Sequence, residues 1–133
     1  MKLPNDNTQI YDHDLAKIWF DKDGILHKIS KEKHRTAENV KDLYSYIRTL
    51  TNGKKVCAIM EVSKEGVSDK HSIEYLREEI PHTFSAVAFM ANTQIGQLTG
   101  TLLSVLTPTH VPAKVFKDED LAKHWLNTYL HLC

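Results

Sequence analysis

Two segments, "VCAIM" (residues 56–60) and "AVAFM" (residues 86–90), are apolar at every position, each preceded by a polar residue. Successive side chains of a strand point to opposite faces, so an unbroken apolar pentamer suits a strand covered on both sides. Between the two lies an amphipathic stretch with Ile73, Leu76 and Ile80 at helical spacing, which Pro81 is expected to end. Strand, helix and strand in that order predict parallel strands joined by right-handed crossovers, with helices packed on the sheet.

The flanking segments extend the pattern. "AKIWFDKDGILHKI" reads as two strands around the turn Asp21-Lys22-Asp23-Gly24, where Gly24 supplies a positive φ. Thr36 is a good N-cap for a helix carrying Val40, Leu43, Ile47 and Leu50, and Gly53 marks its end. A third helix is expected from Thr93 to about Leu106, with Ile95, Leu98, Leu102 and Leu106 on one side. "AKVF" reads as a short strand, and Asp118 caps a last helix with Leu121, Ala122, Trp125, Leu126, Tyr129 and Leu130. The expected fold is an α/β sandwich of order ββαβαβαβα, its mostly parallel sheet preceded by an antiparallel hairpin. Residues 1–12 read as a polar, flexible tail and 13–133 as one domain.

Composition narrows the function classes. Lys+Arg 17 against Asp+Glu 17 leaves no net charge, which gives no field to attract nucleic acid or an anionic membrane. No apolar run approaches the length that spans a bilayer. Cys57 sits inside an apolar run and Cys133 is the last residue, a pattern read as two independent thiols in a reducing cytoplasm. The eight histidines contain no pair four apart, and His124 and His131 lie two turns apart, roughly 10 Å on a helix. They read as scattered surface residues, and no metal or other cofactor is expected. There is no G-x-S-x-G elbow and no glycine-rich phosphate loop, so the chain reads as non-enzymatic.

Three local features invite a role. The run "KISKEKHR" gathers Lys28, Lys31, Lys33, His34 and Arg35 ahead of the first helix, and reads as a solvated loop or as an anion receiver. Gly96 and Gly100 lie one turn apart on the third helix. Close packing on the sheet is the ordinary reason for such a pair; a groove for an apolar ligand or a partner helix is the sharper one. Ser68 precedes the second helix and is read as its N-cap, with Asp69 in the first turn.

"KIWFDKDGILH", "IGQLTGTLL" and "AKVFKDEDLAKHWL", with the order of elements, resemble the sulfate-transporter and anti-sigma-factor-antagonist (STAS) fold, and more closely small bacterial SpoIIAA-like proteins of unknown role. In STAS regulators a kinase phosphorylates a serine in an Asp-Ser-Ser context at the start of the corresponding helix. Laid on this chain, the aspartate is Asp69 while Lys70 and His71 take the serine positions, and Ser68 precedes the aspartate. The resemblance therefore implies a regulatory or protein-interaction domain without an intact phospho-switch. Ser68, Asp69, Lys70 and His71 form its candidate interaction or phospho-acceptor region. The partner would be another protein or a second copy. The broad apolar stripe of the last helix, with Trp125 and Tyr129, and Trp19 on an expected edge strand favour a homodimer.

Overall fold

The computed structural model describes residues 1–133. Its elements are β1 (Tyr11–Asp12), β2 (Ala16–Phe20), β3 (Leu26–Ser30), α1 (Ala37–Thr51), β4 (Val56–Glu61), α2 (Lys70–Thr83), β5 (Phe84–Met90), α3 (Gln94–Leu106), β6 (Ala113–Phe116) and α4 (Glu119–Asn127), followed by a 3-10 turn at Leu130–Leu132. The six strands form one sheet in the order β1-β2-β3-β4-β5-β6. β1, β2 and β3 pair antiparallel, and β3 to β6 pair parallel. The expected α/β sandwich with a leading hairpin is the fold observed. Sheet pairing begins at Tyr11, two residues ahead of the expected domain start.

Strands that are neighbours in both sequence and space put every right-handed crossover helix on the same face. Accordingly the larger core holds Val40, Leu43, Tyr44 and Ile47 of α1, Ile80 of α2 and Leu103 of α3 against Leu26, Met60, Val87 and Phe89. The opposite face is closed by α4, whose Ala122 and Leu126 lie on Ile25, Cys57, Ile59, Ala86 and Ala88. "VCAIM" and "AVAFM" are covered on both sides because these two layers meet over β4 and β5.

Local signals placed most helix ends. Thr36 and Asn39 form a reciprocal cap on α1, Thr36 Oγ1 accepting from the Asn39 N–H at 3.1 Å and Asn39 Oδ1 from the Thr36 N–H at 2.9 Å. Asn52 (φ 55°) and Gly53 (φ 74°) turn the chain out of that helix. Thr93 caps α3 and Asp118 caps α4. Pro81 does not end α2. It lies in the last turn, and the helix runs to Thr83 and passes directly into β5.

Four expectations are corrected. Cys57 and Cys133 are joined as a disulfide with Cα atoms 5.4 Å apart, because the 3-10 turn after α4 folds back over β4. The cysteines therefore no longer argue for a reducing compartment. His27 is buried rather than exposed, stacked on Trp19 with ring centroids 5.2 Å apart and with Nε2 2.9 Å from Asp21 Oδ2. Trp19 is only 4% exposed, and Trp125 and Tyr129 pack on the α4-side core, so the aromatic surface invoked for a homodimer is largely covered. Finally, α3 presents the opposite face to the sheet from the one its leucines suggested. Gly96, Gly100 and Leu103 are buried, whereas Ile95, Leu98 and Leu102 are exposed.

Candidate functional site

In open α/β sheets, function gathers in the loops at the carboxyl ends of the parallel strands. Here the loops β3–α1 (residues 31–36) and β4–α2 (residues 62–69) meet at that edge. They are joined by backbone: the Arg35 N–H donates to Val67 O at 2.7 Å, the Asp69 N–H donates to Arg35 O at 3.0 Å, and Arg35 and Ser68 form an isolated parallel bridge. Gly66 lies where the two loops touch, with Lys33 main-chain atoms in the space a side chain would need.

This junction relocates the cap of α2. The bridge pins the backbone of Ser68 in an extended pairing, so the helix opens one residue later. Asp69 is the N-cap: its Oδ1 accepts from the Ser72 N–H at 2.8 Å, and Ser72 Oγ donates to Asp69 O at 2.8 Å. The reading of Ser68 as the cap is corrected. Asp69→Ala is expected to cost about 1 kcal/mol of stability, and Ser68→Ala only a few tenths. Urea midpoints of the two variants check this; a larger loss at Ser68 than at Asp69 would contradict the assignment. Lys70 and His71 are exposed, with His71 Nδ1 3.7 Å from Glu74 Oε2.

The run "KISKEKHR" separates into two populations. Lys31 Nζ donates to Asp12 Oδ1 at 2.7 Å and Lys33 Nζ lies 3.6 Å from Asp14 Oδ2, both near the surface. Lys28 and Arg35 are instead buried: β3 directs Leu26, Lys28 and Ser30 toward the layer of α1 and α2, and Arg35 reaches the same place from the loop that follows. The Arg35 guanidinium donates from Nη1 to Lys33 O at 3.1 Å and Lys31 O at 3.3 Å, and from Nη2 to Leu15 O at 3.0 Å. Its Nε lies 3.7 Å from Glu65 Oε1, which also accepts from Ser30 Oγ at 2.9 Å. Lys28 Nζ donates to Ser30 Oγ at 3.4 Å.

Two buried cations thus face one buried carboxylate. Burial pushes the Lys28 amine down to about 8, with Glu65 opposing that fall and Arg35 adding to it. Tyr44, on α1 above the cluster, has its phenol raised well above the usual range, first by burial and then by the Glu65 charge. The arrangement brings together an amine, a guanidinium, a carboxyl group and a phenol that burial keeps in its neutral form. Its clearest work is structural, since Arg35 binds three backbone carbonyls of the hairpin and the following loop while touching the loop that leads into α2.

The second feature is the outward face of α3. Ile95, Leu98, Leu102 and Val105 are between 54% and 77% exposed, and no element covers them. Val67 is 75% exposed and lines an open surface pocket together with Ile95. The inward face is filled. A Cβ on Gly96 would come within 2.7 Å of Ala91 Cβ and 2.9 Å of Ser63 Cα, and one on Gly100 within 3.1 Å of Val115 Cγ1. The sheet itself occupies the space beside the two glycines where a ligand groove was considered. Sequence reasoning missed Glu65, Gly66 and Val105. Their significance comes from neighbours distant in sequence, although the spacing 95-98-102-105 was there to be noticed.

No helix is long and apolar enough to cross a membrane. No curated protein matches the chain. Among solved structures, the chain is similar to an uncharacterised protein of the DUF3478 family with a SpoIIAA-like fold from Shewanella loihica PV-4. The two are 18% identical with a TM-score of 0.60, over 94% of this chain and 99% of that one. The likeness shows a SpoIIAA-like fold, in agreement with the resemblance read from the sequence. A family model described as a domain of unknown function, DUF7793, matches residues 18–130, and the chain belongs to that family.

Proposed function

We propose that this protein is a non-enzymatic interaction domain of a regulatory kind, and that its partner on the outward face of α3 is a second copy of the same chain. The uncovered stripe Ile95, Leu98, Leu102 and Val105 carries this reading. Its 3-4-3 spacing is that of a coiled-coil seam, in which apolar knobs from one helix enter holes on a facing one. α3 holds no charged residue from Gln94 to Leu106, so two copies meet without like-charge repulsion. A two-fold axis across the stripe makes the contact self-complementary, and antiparallel helices oppose their dipoles favourably.

The magnitudes leave room for a dimer of moderate strength. Covering the exposed part of one such side chain contributes about 1–2 kcal/mol, and two copies supply eight of them, for roughly 8–16 kcal/mol. Association costs about 4–15 kcal/mol in lost freedom and side-chain ordering, so a micromolar dimer, worth about 8 kcal/mol net, requires an association cost in the lower half of that range. Net charge zero adds no repulsion at longer range.

Sedimentation equilibrium tests the proposal. The native chain is expected to dimerise in the micromolar range. Leu98→Asp is expected to remain folded, since its side chain is solvent-facing, and to weaken association at least a hundredfold. A native chain that stays monomeric at several hundred micromolar overturns the reading. So does a monomer that co-sediments with lipid vesicles, which would give the face to a bilayer surface.

A further inference from the structure

Lys28, Arg35, Tyr44 and Glu65 surround, with apolar side chains such as Met60 and Leu76, a cavity of about 20 Å³ under α1 and α2. That is room for one particle of water size, which requires at least about 10–15 Å³. An ammonium has three N–H donors, and Lys28 spends one of them, on the long 3.4 Å bond to Ser30 Oγ. Glu65 is the one carboxylate acting on both Lys28 and Arg35, and it already accepts from Ser30. The cluster therefore holds one positive charge more than it neutralises. Isolated buried charges are too costly to be left without a counter-charge or a hydrogen-bond partner.

We propose that this cavity is a binding site for a small monovalent anion of halide size, held by the Lys28 ammonium between Arg35 and Tyr44. The chemistry matches on three counts. One negative charge balances the cluster, the space open to the centre of a water-sized sphere leaves room for a single monatomic ion somewhat larger than water, and the cavity walls offer N–H and O–H donors among apolar carbons. A water molecule would satisfy donors there but would leave the charge surplus in place.

Chloride and bromide serve as probes. In thermal melts at pH 7 and constant ionic strength, replacing sodium gluconate by 200 mM sodium chloride is expected to raise the Tm of the native chain by about 3 °C, with saturation. Lys28→Met leaves Arg35 paired with Glu65, so it is expected to fold and to lose the chloride-dependent rise. In a crystal soaked in sodium bromide, an anomalous peak is expected in the cavity. Equal Tm values in the two salts overturn the proposal. So does a chloride effect that Lys28→Met retains, or a cavity that contains an ordered water and no bromide.

Discussion

Replacing Glu65 by Gln is expected to lower the unfolding free energy by about 3–5 kcal/mol, the range for removing one partner of a buried ion pair. The substitution conserves shape, and the amide oxygen still accepts from Ser30 Oγ, so packing and that hydrogen bond are retained. What is lost is the negative charge, 3.7 Å from Arg35 Nε, between side chains that are 3% and 6% exposed. Two buried cations would remain without a protein carboxylate to balance them. Urea denaturation at pH 7 checks the figure; a midpoint within experimental error of the native one would show that Glu65 and the cations are not coupled.

The pH dependence supplies a companion measurement. The folded-state pKa of Lys28 lies near 8, below its ordinary value of 10.5, so the unfolded chain binds more protons between those values. Stability then rises with pH through that window, while below pH 8 the full cost of the charged amine is present. Tyr44 acts in the opposite sense. Its raised folded-state pKa means that the unfolded chain loses a proton first, so its contribution is lost as pH rises above about 10. The Lys28 gain is therefore clearest between pH 8 and 10. In Glu65→Gln the rise should begin at lower pH, because the charge that favours protonated Lys28 is gone.

Gly66→Ala is expected to cost about 3 kcal/mol or more, at or beyond the upper end for overpacking. An added Cβ would lie 2.0 Å from Lys33 O, 2.4 Å from Lys33 C and 2.6 Å from Lys33 N. These are main-chain atoms, so no side chain can rotate aside to make room. The loops could separate only by breaking the backbone bonds from Arg35 to Val67 and from Asp69 to Arg35. Gly24 is the natural comparison, since a Cβ there meets nothing and the substitution is strained only by its φ of +79°. Gly24→Ala should cost roughly 1 kcal/mol. If Gly66→Ala proved no more damaging than Gly24→Ala in the same denaturation series, the close approach of the two loops would be refuted.

The contrast between these glycines marks what could be read locally. The sequence determined the alternation of strands and helices, the two strands covered on both faces, and the caps at Thr36 and Asp118, because each depends on residues within a turn or two. It also located the turn at Gly24 and the exit from α1 at Gly53, where the backbone needs a positive φ. Periodicity could not orient α3. That helix is apolar on two sides, and the glycine side faces the sheet because only residues without a Cβ let the backbone settle against Ala91 and Ser63. The stripe that its leucines suggested as core was thereby turned to solvent. Ser68 and Asp69 are both capping residue types, and the choice between them was made by Arg35, 33 residues earlier, whose backbone holds Ser68 in a bridge. Lys28 and Arg35 looked like members of a solvated basic run. The pleat of β3 placed Lys28 inside, and the pairing of the Arg35 loop with the loop that carries Glu65 placed Arg35 there. Cys57 and Cys133, 76 residues apart, were likewise joined by the path of the chain after α4. Short-range preferences are written in neighbouring residues, but burial, charge pairing and cross-linking depend on which distant segments the sheet brings together.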